Sequence, residues 1–168
     1  MYQHILVPVD GSSTSNKGLD QAIALAKLTG GRLRLVHVID ELSLALSMGV
    51  YAGASAGWQG ELRGDALKLL EAARARAVEQ GVAADTVLLD TYQGKVHEQV
   101  LAEVDRSHSD LIVLGTHGRR GLNRWLLGSS AEQILRMAQI PVLLIRAPEE
   151  AQAESERFTL PTGTVASQ

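Results

Sequence analysis

Five short apolar runs rich in Val, Ile and Leu alternate along the chain with four stretches whose apolar residues recur at three- and four-residue steps. No other feature restricts the fold as strongly. The runs lie at residues 5–9, 33–39, 86–92, 111–114 and 141–145. Between them, Leu19, Ala22, Ile23 and Ala26 share one helical face. Leu62, Ala66, Leu69, Leu70, Ala73 and Ala77 share another, Val96, Val100, Leu101 and Val104 mark a third, and Ala131, Ile134, Leu135 and Ala138 a fourth. Strands joined by helix-length crossovers cannot form hairpins, so they run parallel with right-handed connections. The expected class is α/β, a five-stranded parallel sheet in an open doubly wound sandwich with helices on both faces. Leu111 to Leu114 has no polar alternate, as a central strand covered on both faces requires. Pro141 is expected as the first residue of the last strand, where a missing N–H costs no ladder bond.

The punctuation agrees. Asp10-Gly11 is a turn signal followed by Ser12, Ser13 and Thr14, all helix N-cap types, while Gly30-Gly31 and Gly81 end helices. After Arg146 the periodicity stops, so residues 1–146 are expected to form one domain and Ala147 to Gln168 a disordered acidic tail. That tail holds four Glu and one Arg, so its charge of −3 accounts for the net charge of the chain and leaves the body neutral. A neutral body has no basic surplus with which to hold a nucleic-acid backbone. The absence of cysteine excludes disulfides, thiolate zinc sites and a thiol nucleophile. The first residues lack a secretory leader pattern, and a cytoplasmic location is the expectation. Leu42 to Gly60 is uncharged, but its four glycines, three serines and one glutamine lower its hydropathy below that of a membrane span. It is expected to be a partly apolar surface loop.

In a doubly wound sheet, ligands bind beyond the carboxyl ends of the strands, where the winding reverses. The loop after Leu114 is the richest of these places. From Gly115 to Ser130 it holds four glycines and three arginines but no acid, and a helix opens near Ser129. Glycines admit an anion close to the backbone, and a helix start presents unpaired N–H groups, so the loop suits a polyphosphate. It has no Gly-Lys-Ser/Thr, and no G-x-G-x-x-G follows the first strand, which disfavours P-loop and dinucleotide chemistry. Asp10 reads either as an acceptor for nucleoside hydroxyl or amino groups or as the start of an Asx turn. Ser129 and Glu132 have the spacing of a capping box. His117, between two glycines, reads as a ligand-edge or loop-packing residue more readily than as a base, and no metal-ligand spacing is evident.

Gly115-x-x-Gly118, nine further residues and Gly128-Ser129 closely resemble the nucleotide-binding signature of the universal stress protein family. ILVPVDGS, LVHVIDE, DLIVLGTHGRRG and IPVLLIR are also similar to it, and the resemblance spans about residues 1–146. It implies an adenine nucleotide alpha hydrolase-like sheet with strand order 3-2-1-4-5. It further implies ATP as ligand, with Mg2+ able to ride on the phosphates, and a homodimer joined through the last strand, Pro141 to Arg146. Carried over by position, the nucleotide-binding residues are Pro8, Val9, Asp10, Val38, Gly115, Thr116, His117, Gly118, Arg119, Gly128, Ser129 and Ser130. Among these, the Val38 backbone would read the adenine edge, Gly115 would lie near the ribose, and the amides around Gly118 and Gly128 to Ser130 would hold phosphates. The expected function is an ATP-binding stress-response or signalling module. At most it is a weak ATPase, because no general base with an oriented nucleophile is evident. The alternative is a nucleotide-independent dimeric adaptor of the same fold. A phosphotransfer receiver is a poor match, since Asp10 has no neighbouring acid and Arg146 stands where a lysine is needed.

Overall fold

The computed structural model describes residues 1–40, 56–90, 94–116 and 128–146. The elements in order are β1 His4–Pro8, α1 Ser13–Thr29, β2 Arg32–Ile39, α2 Ala56–Glu79, β3 Ala84–Asp90, α3 Val96–Ser107, β4 Leu111–Gly115, α4 Ser129–Met137 and β5 Val142–Ile145. All strand pairs are parallel, in the order β3-β2-β1-β4-β5. Alternate residues of each strand serve opposite faces. Ile5, Val7, Leu33, Leu35, Leu111 and Val113 pack against Leu19 and Ile23 of α1 and Leu70 and Ala77 of α2. On the other face, Leu6, Val36, Ile112 and Leu114 meet Val100 and Val104 of α3 and Ala131 and Ile134 of α4. This two-sided burial is why the fourth strand is apolar throughout. The chain steps from β1 to β3 with its helices on one face, then returns to β4 and β5 with its helices on the other. Right-handed crossovers require that change of face, and the winding therefore reverses between β1 and β4.

Several boundaries differ from the sequence expectation, among them the start of β3, at Ala84 rather than residue 86. α2 begins at Ala56, so the last part of the uncharged stretch expected as loop is helical. Extending an existing helix backward adds a hydrogen bond for each residue fixed and needs no new nucleus, and nothing from Ala56 to Gly60 forbids it. Residues 42–55 lie outside the described residues. Pro141 stands just before β5 rather than within it; its carbonyl accepts from Ile112 N–H at 3.0 Å, while the ladder proper starts at Val142. The expected tail and the last two residues of the expected third strand also fall outside the described residues. No described helix is long and apolar enough to cross a membrane.

The amino-terminal edge of the sheet is fastened by charge. Glu103 of α3, its side chain 3% exposed, accepts from Arg34 Nε of β2 at 2.8 Å and lies 3.4 Å from Arg106 Nη1. Removing Glu103 would leave a half-buried guanidinium unpaired. Asp110, just before β4, accepts from the N–H groups of Gln3 at 2.9 Å and His4 at 3.0 Å, which ties the start of β1 to the start of β4. Burial alone pushes the Asp110 carboxyl up, but the N–H groups of Gln3, His4 and its own residue, together with the charge on His4, hold it below its ordinary value. Its folded-state pKa is therefore depressed. Its contribution to stability is complete above the ordinary aspartate pKa and is lost as pH falls through the folded value. Asp110→Asn is accordingly expected to be less stable than the wild type at neutral pH in urea titrations, with the gap closing as pH falls below about 4. A gap independent of pH would show that the carboxylate charge plays no part.

Candidate functional site

The crevice at the carboxyl edge begins where β1 lets go of its neighbours. Toward β4 the paired residues are Ile5↔Leu111 and Leu6↔Ile112, and there the ladder stops. The next rung would need an N–H from Pro8, which has none. Toward β2 the paired residues end at Pro8↔Val36, with Val9 N–H donating to Val36 O at 2.8 Å. In a parallel ladder every second residue of β2 turns its backbone toward β1, so Val38 is the next to do so. Its N–H does not reach the Val9 carbonyl. His37 Nδ1 lies 2.6 Å from that oxygen instead, and because a carbonyl only accepts, Nδ1 carries the proton.

α1 begins immediately beyond β1. Gly11 turns the chain at φ 81°, and Asp10 Oδ1 accepts from Ser12 N–H at 2.9 Å, the Asx turn that was one of the two readings of Asp10. Ser12 is the N-cap and accepts from Ser15 N–H at 3.1 Å. Ser15 Oγ in turn accepts from Asp10 N–H at 3.1 Å, which seats Asp10 against the first turn of α1. That turn also lies against β4. A Cβ added to Gly115 would stand 2.8 Å from Thr14 C, 2.9 Å from Thr14 O and 3.0 Å from Ser15 N. Gly115 thus has a packing reason to be glycine, whatever it also meets in the crevice.

On the far side, Thr116 is buried and its backbone works in both directions. Its N–H donates to Ile145 O at 3.0 Å, and its carbonyl accepts from Gly128 N–H at 2.9 Å. Thr116 and Gly128 are therefore clasped to each other beside β4. Gly128 is the N-cap of α4 at φ −57° and ψ 141°, a conformation that does not require glycine. The capping box expected from Ser129 and Glu132 is not formed. With Gly128 as cap, Glu132 falls one position too late, its N–H donates to Gly128 O at 2.9 Å, and its carboxylate faces Arg136 at 3.8 Å. α4 consequently has no side-chain cap, and its first amides, at Ser129, Ser130 and Ala131, have no intrahelical acceptor.

Of the twelve expected residues, nine stand at the carboxyl edge: Pro8, Val9, Asp10, Val38, Gly115, Thr116, Gly128, Ser129 and Ser130. His117, Gly118 and Arg119 lie outside the described residues. The crevice offers an acceptor in Asp10, backbone donor and acceptor groups at Val38, and donors with the positive end of a helix dipole at α4. Sequence reasoning missed His37, whose signal was a polar ring inside the apolar run LRLVHVI, and Ser15, whose hydroxyl connects Asp10 to Pro8 O at 3.5 Å. Among the described residues no group of three or more His, Cys, Asp or Glu could hold a metal ion.

A profile of the universal stress protein family matches residues 1–146. Universal stress protein YxiE of Bacillus subtilis is 32% identical over 151 residues, which is 87% of this chain and 100% of that protein. A solved structure of a universal stress protein family member from Burkholderia pseudomallei superimposes with a TM-score of 0.69 at 31% identity, over 87% of this chain and 97% of that one. The universal stress protein of Archaeoglobus fulgidus, solved in complex with dAMP, shares the fold with a TM-score of 0.65 at 22% identity, over 86% of this chain and 98% of that one.

The packing at Gly115 leads to a paired expectation. Gly115→Ala should destabilise the chain by about 1–3 kcal/mol, because its Cβ meets helix backbone that cannot move alone. Gly18→Ala, whose Cβ would rest 3.5 Å from Gly115 N, should be neutral or stabilising by up to about 1 kcal/mol through helix propensity. Denaturant midpoints of the two variants decide this, and equal effects would remove the contact from the account.

Proposed function

This chain belongs to the universal stress protein family, and from that premise we propose that it binds ATP in the crevice between β1, β2 and β4 and acts as a stress-response or signalling module. The observation that carries the proposal is the early end of β1, which leaves the Val38 backbone beyond the last rung with β1, at the carboxyl edge. An adenine edge presents one acceptor and one donor side by side, which suits a backbone N–H and C=O on one residue. At the far end of the crevice, the uncapped amides of Ser129 and Ser130 fit a phosphate group, since a helix start without its own acceptor favours an anion. Asp10 is placed for a ribose hydroxyl or an amino group, and Gly115 and Thr116 form the floor between. His117, Gly118 and Arg119 belong to the same proposal, with Gly118 giving the phosphates close access to backbone. Bound ATP supplies its own polyanion, and Mg2+ carried on the phosphates needs few protein ligands. The residues of the chain bind and orient; none is assigned as a base, so hydrolysis is at most slow. A dAMP complex of a relative with this fold supports an adenine nucleotide as the ligand class.

The proposed location is the cytoplasm, and the outer edge of β5 supports a homodimer as the working form. Among the described residues β5 ends the sheet order and has no strand on its outer side, and Leu143 is 39% exposed on it. An apolar edge of this kind invites pairing, and a second copy of the same strand would satisfy it.

Nucleotide binding and oligomeric state each test these readings. Chain denatured after purification should release ATP on chromatography, and added ATP should raise the melting temperature. A concentration one hundredfold above Kd stabilises the fold by about 2.7 kcal/mol. Gly118→Val should weaken ATP binding by about tenfold or more with the fold intact. Neither release nor thermal shift at millimolar ATP would leave the adaptor reading in its place. For the dimer, sedimentation at micromolar concentration should show two copies in the wild type and one in Leu143→Glu; a monomeric wild type would remove β5 as an interface.

A further inference from the structure

We infer that His37 is a positioning residue: its Nδ1–H holds the Val9 carbonyl out of the sheet ladder, so that the Val38 N–H remains available to a ligand atom. The inference rests on the nucleotide reading for the identity of the ligand, but not for the state of the rung itself.

A regular parallel ladder alternates its bonds, and after Val9 N–H→Val36 O the following rung is Val38 N–H→Val9 O. Both residues are in place for that bond, since the chains are still paired at Pro8↔Val36 one residue earlier. The bond is nevertheless absent, and the Val9 oxygen meets the His37 ring at 2.6 Å. His37 is the residue of β2 directly opposite Val9, and it is 8% exposed. A buried imidazole N–H needs an acceptor, and this carbonyl is the one it takes. Were the ring replaced by an apolar side chain, the Val9 carbonyl would be a buried acceptor without a donor. The donor that a regular ladder supplies to it is the Val38 N–H. β1 would then lengthen by one rung, and the donor facing the crevice would be consumed by the sheet.

The consequence for recognition follows. A ligand-facing N–H discriminates in favour of a base that presents a ring nitrogen acceptor at that point and against one that presents a donor there, as guanine does at its N1. His37 touches no ligand in this scheme; it acts through Val9 and Val38. The same bond also fixes the peptide that leads from Val9 into Asp10, so the two features of the pocket nearest β1 depend on one ring.

Hydrogen exchange measured by magnetic resonance on the ligand-free chain reads the rung directly. The Val36 amide lies within the ladder, and the Val38 amide should exchange about a hundredfold faster than it in the wild type. His37→Leu should slow Val38 by about tenfold or more as the rung closes. In calorimetric titrations, His37→Leu should weaken ATP binding by about tenfold and narrow the preference for ATP over GTP. His37→Asn, whose side-chain N–H can stand in for Nδ1–H, should keep both affinity and preference. A Val38 amide as protected as Val36 in the wild type overturns the inference, as does a folded His37→Leu chain with unchanged exchange and affinity. If His37→Leu fails to fold, the wild-type comparison of Val36 with Val38 and the His37→Asn titration decide the matter. A wild type that shows the expected exchange pattern but binds no ATP would instead overturn the nucleotide reading and leave the role of His37 in the sheet standing.

Discussion

β1 is released from both of its neighbours within two residues, and the candidate site exists because of it. On the β4 side the release is covalent, since Pro8 has no N–H to continue the ladder. On the β2 side it is a competition, in which the His37 ring takes the Val9 carbonyl that a backbone N–H would otherwise hold. Had either rung closed, the central strand would run on into the space where the winding reverses. Backbone polar groups that a sheet normally consumes in pairs are here presented singly, at a place where two layers of helices diverge.

The two edges of the sheet are built on different physics. At the amino edge, charge and hydrogen bonding tie elements together: Glu103 joins Arg34 and Arg106, and Asp110 gathers the amides of Gln3 and His4. The carboxyl edge is held by backbone and small side chains. Ser12 and Ser15 cap and seat α1, Gly115 lets that helix touch β4, and Thr116 clasps both β5 and the start of α4. Small residues permit close approach without filling the space above, which is what a crevice for a nucleotide would need.

Much of the fold could be read from residue spacing. Helical repeats and unalternated apolar runs are local consequences of burial on one stripe or on both faces, so they survive in the sequence as pattern. Crossover handedness then converts that pattern into a parallel, doubly wound sheet. The start of α2 and the beginning of β5 were misjudged by a few residues, because helix extension costs little and a proline carbonyl can still join a ladder it cannot donate to. Nine of the twelve expected site residues do stand on the carboxyl edge, since position at a strand end is itself a matter of order along the chain.

What spacing could not supply is who holds whom. Glu132 has the right offset from Ser129 for a capping box, yet Gly128 takes the cap because its N–H is pulled to Thr116 on the neighbouring strand end. Gly115 reads as a ligand-facing glycine in one dimension, and in three it also lies against the first turn of α1. His37 is one polar letter in an apolar run until the register puts it opposite Val9. The chain by itself determined the order, the direction and the faces of its elements, because those depend on periodicity along one strand or helix. Only the tertiary structure decided which backbone groups are spent on the sheet and which remain for a ligand, because each hydrogen bond is a choice between partners far apart in sequence.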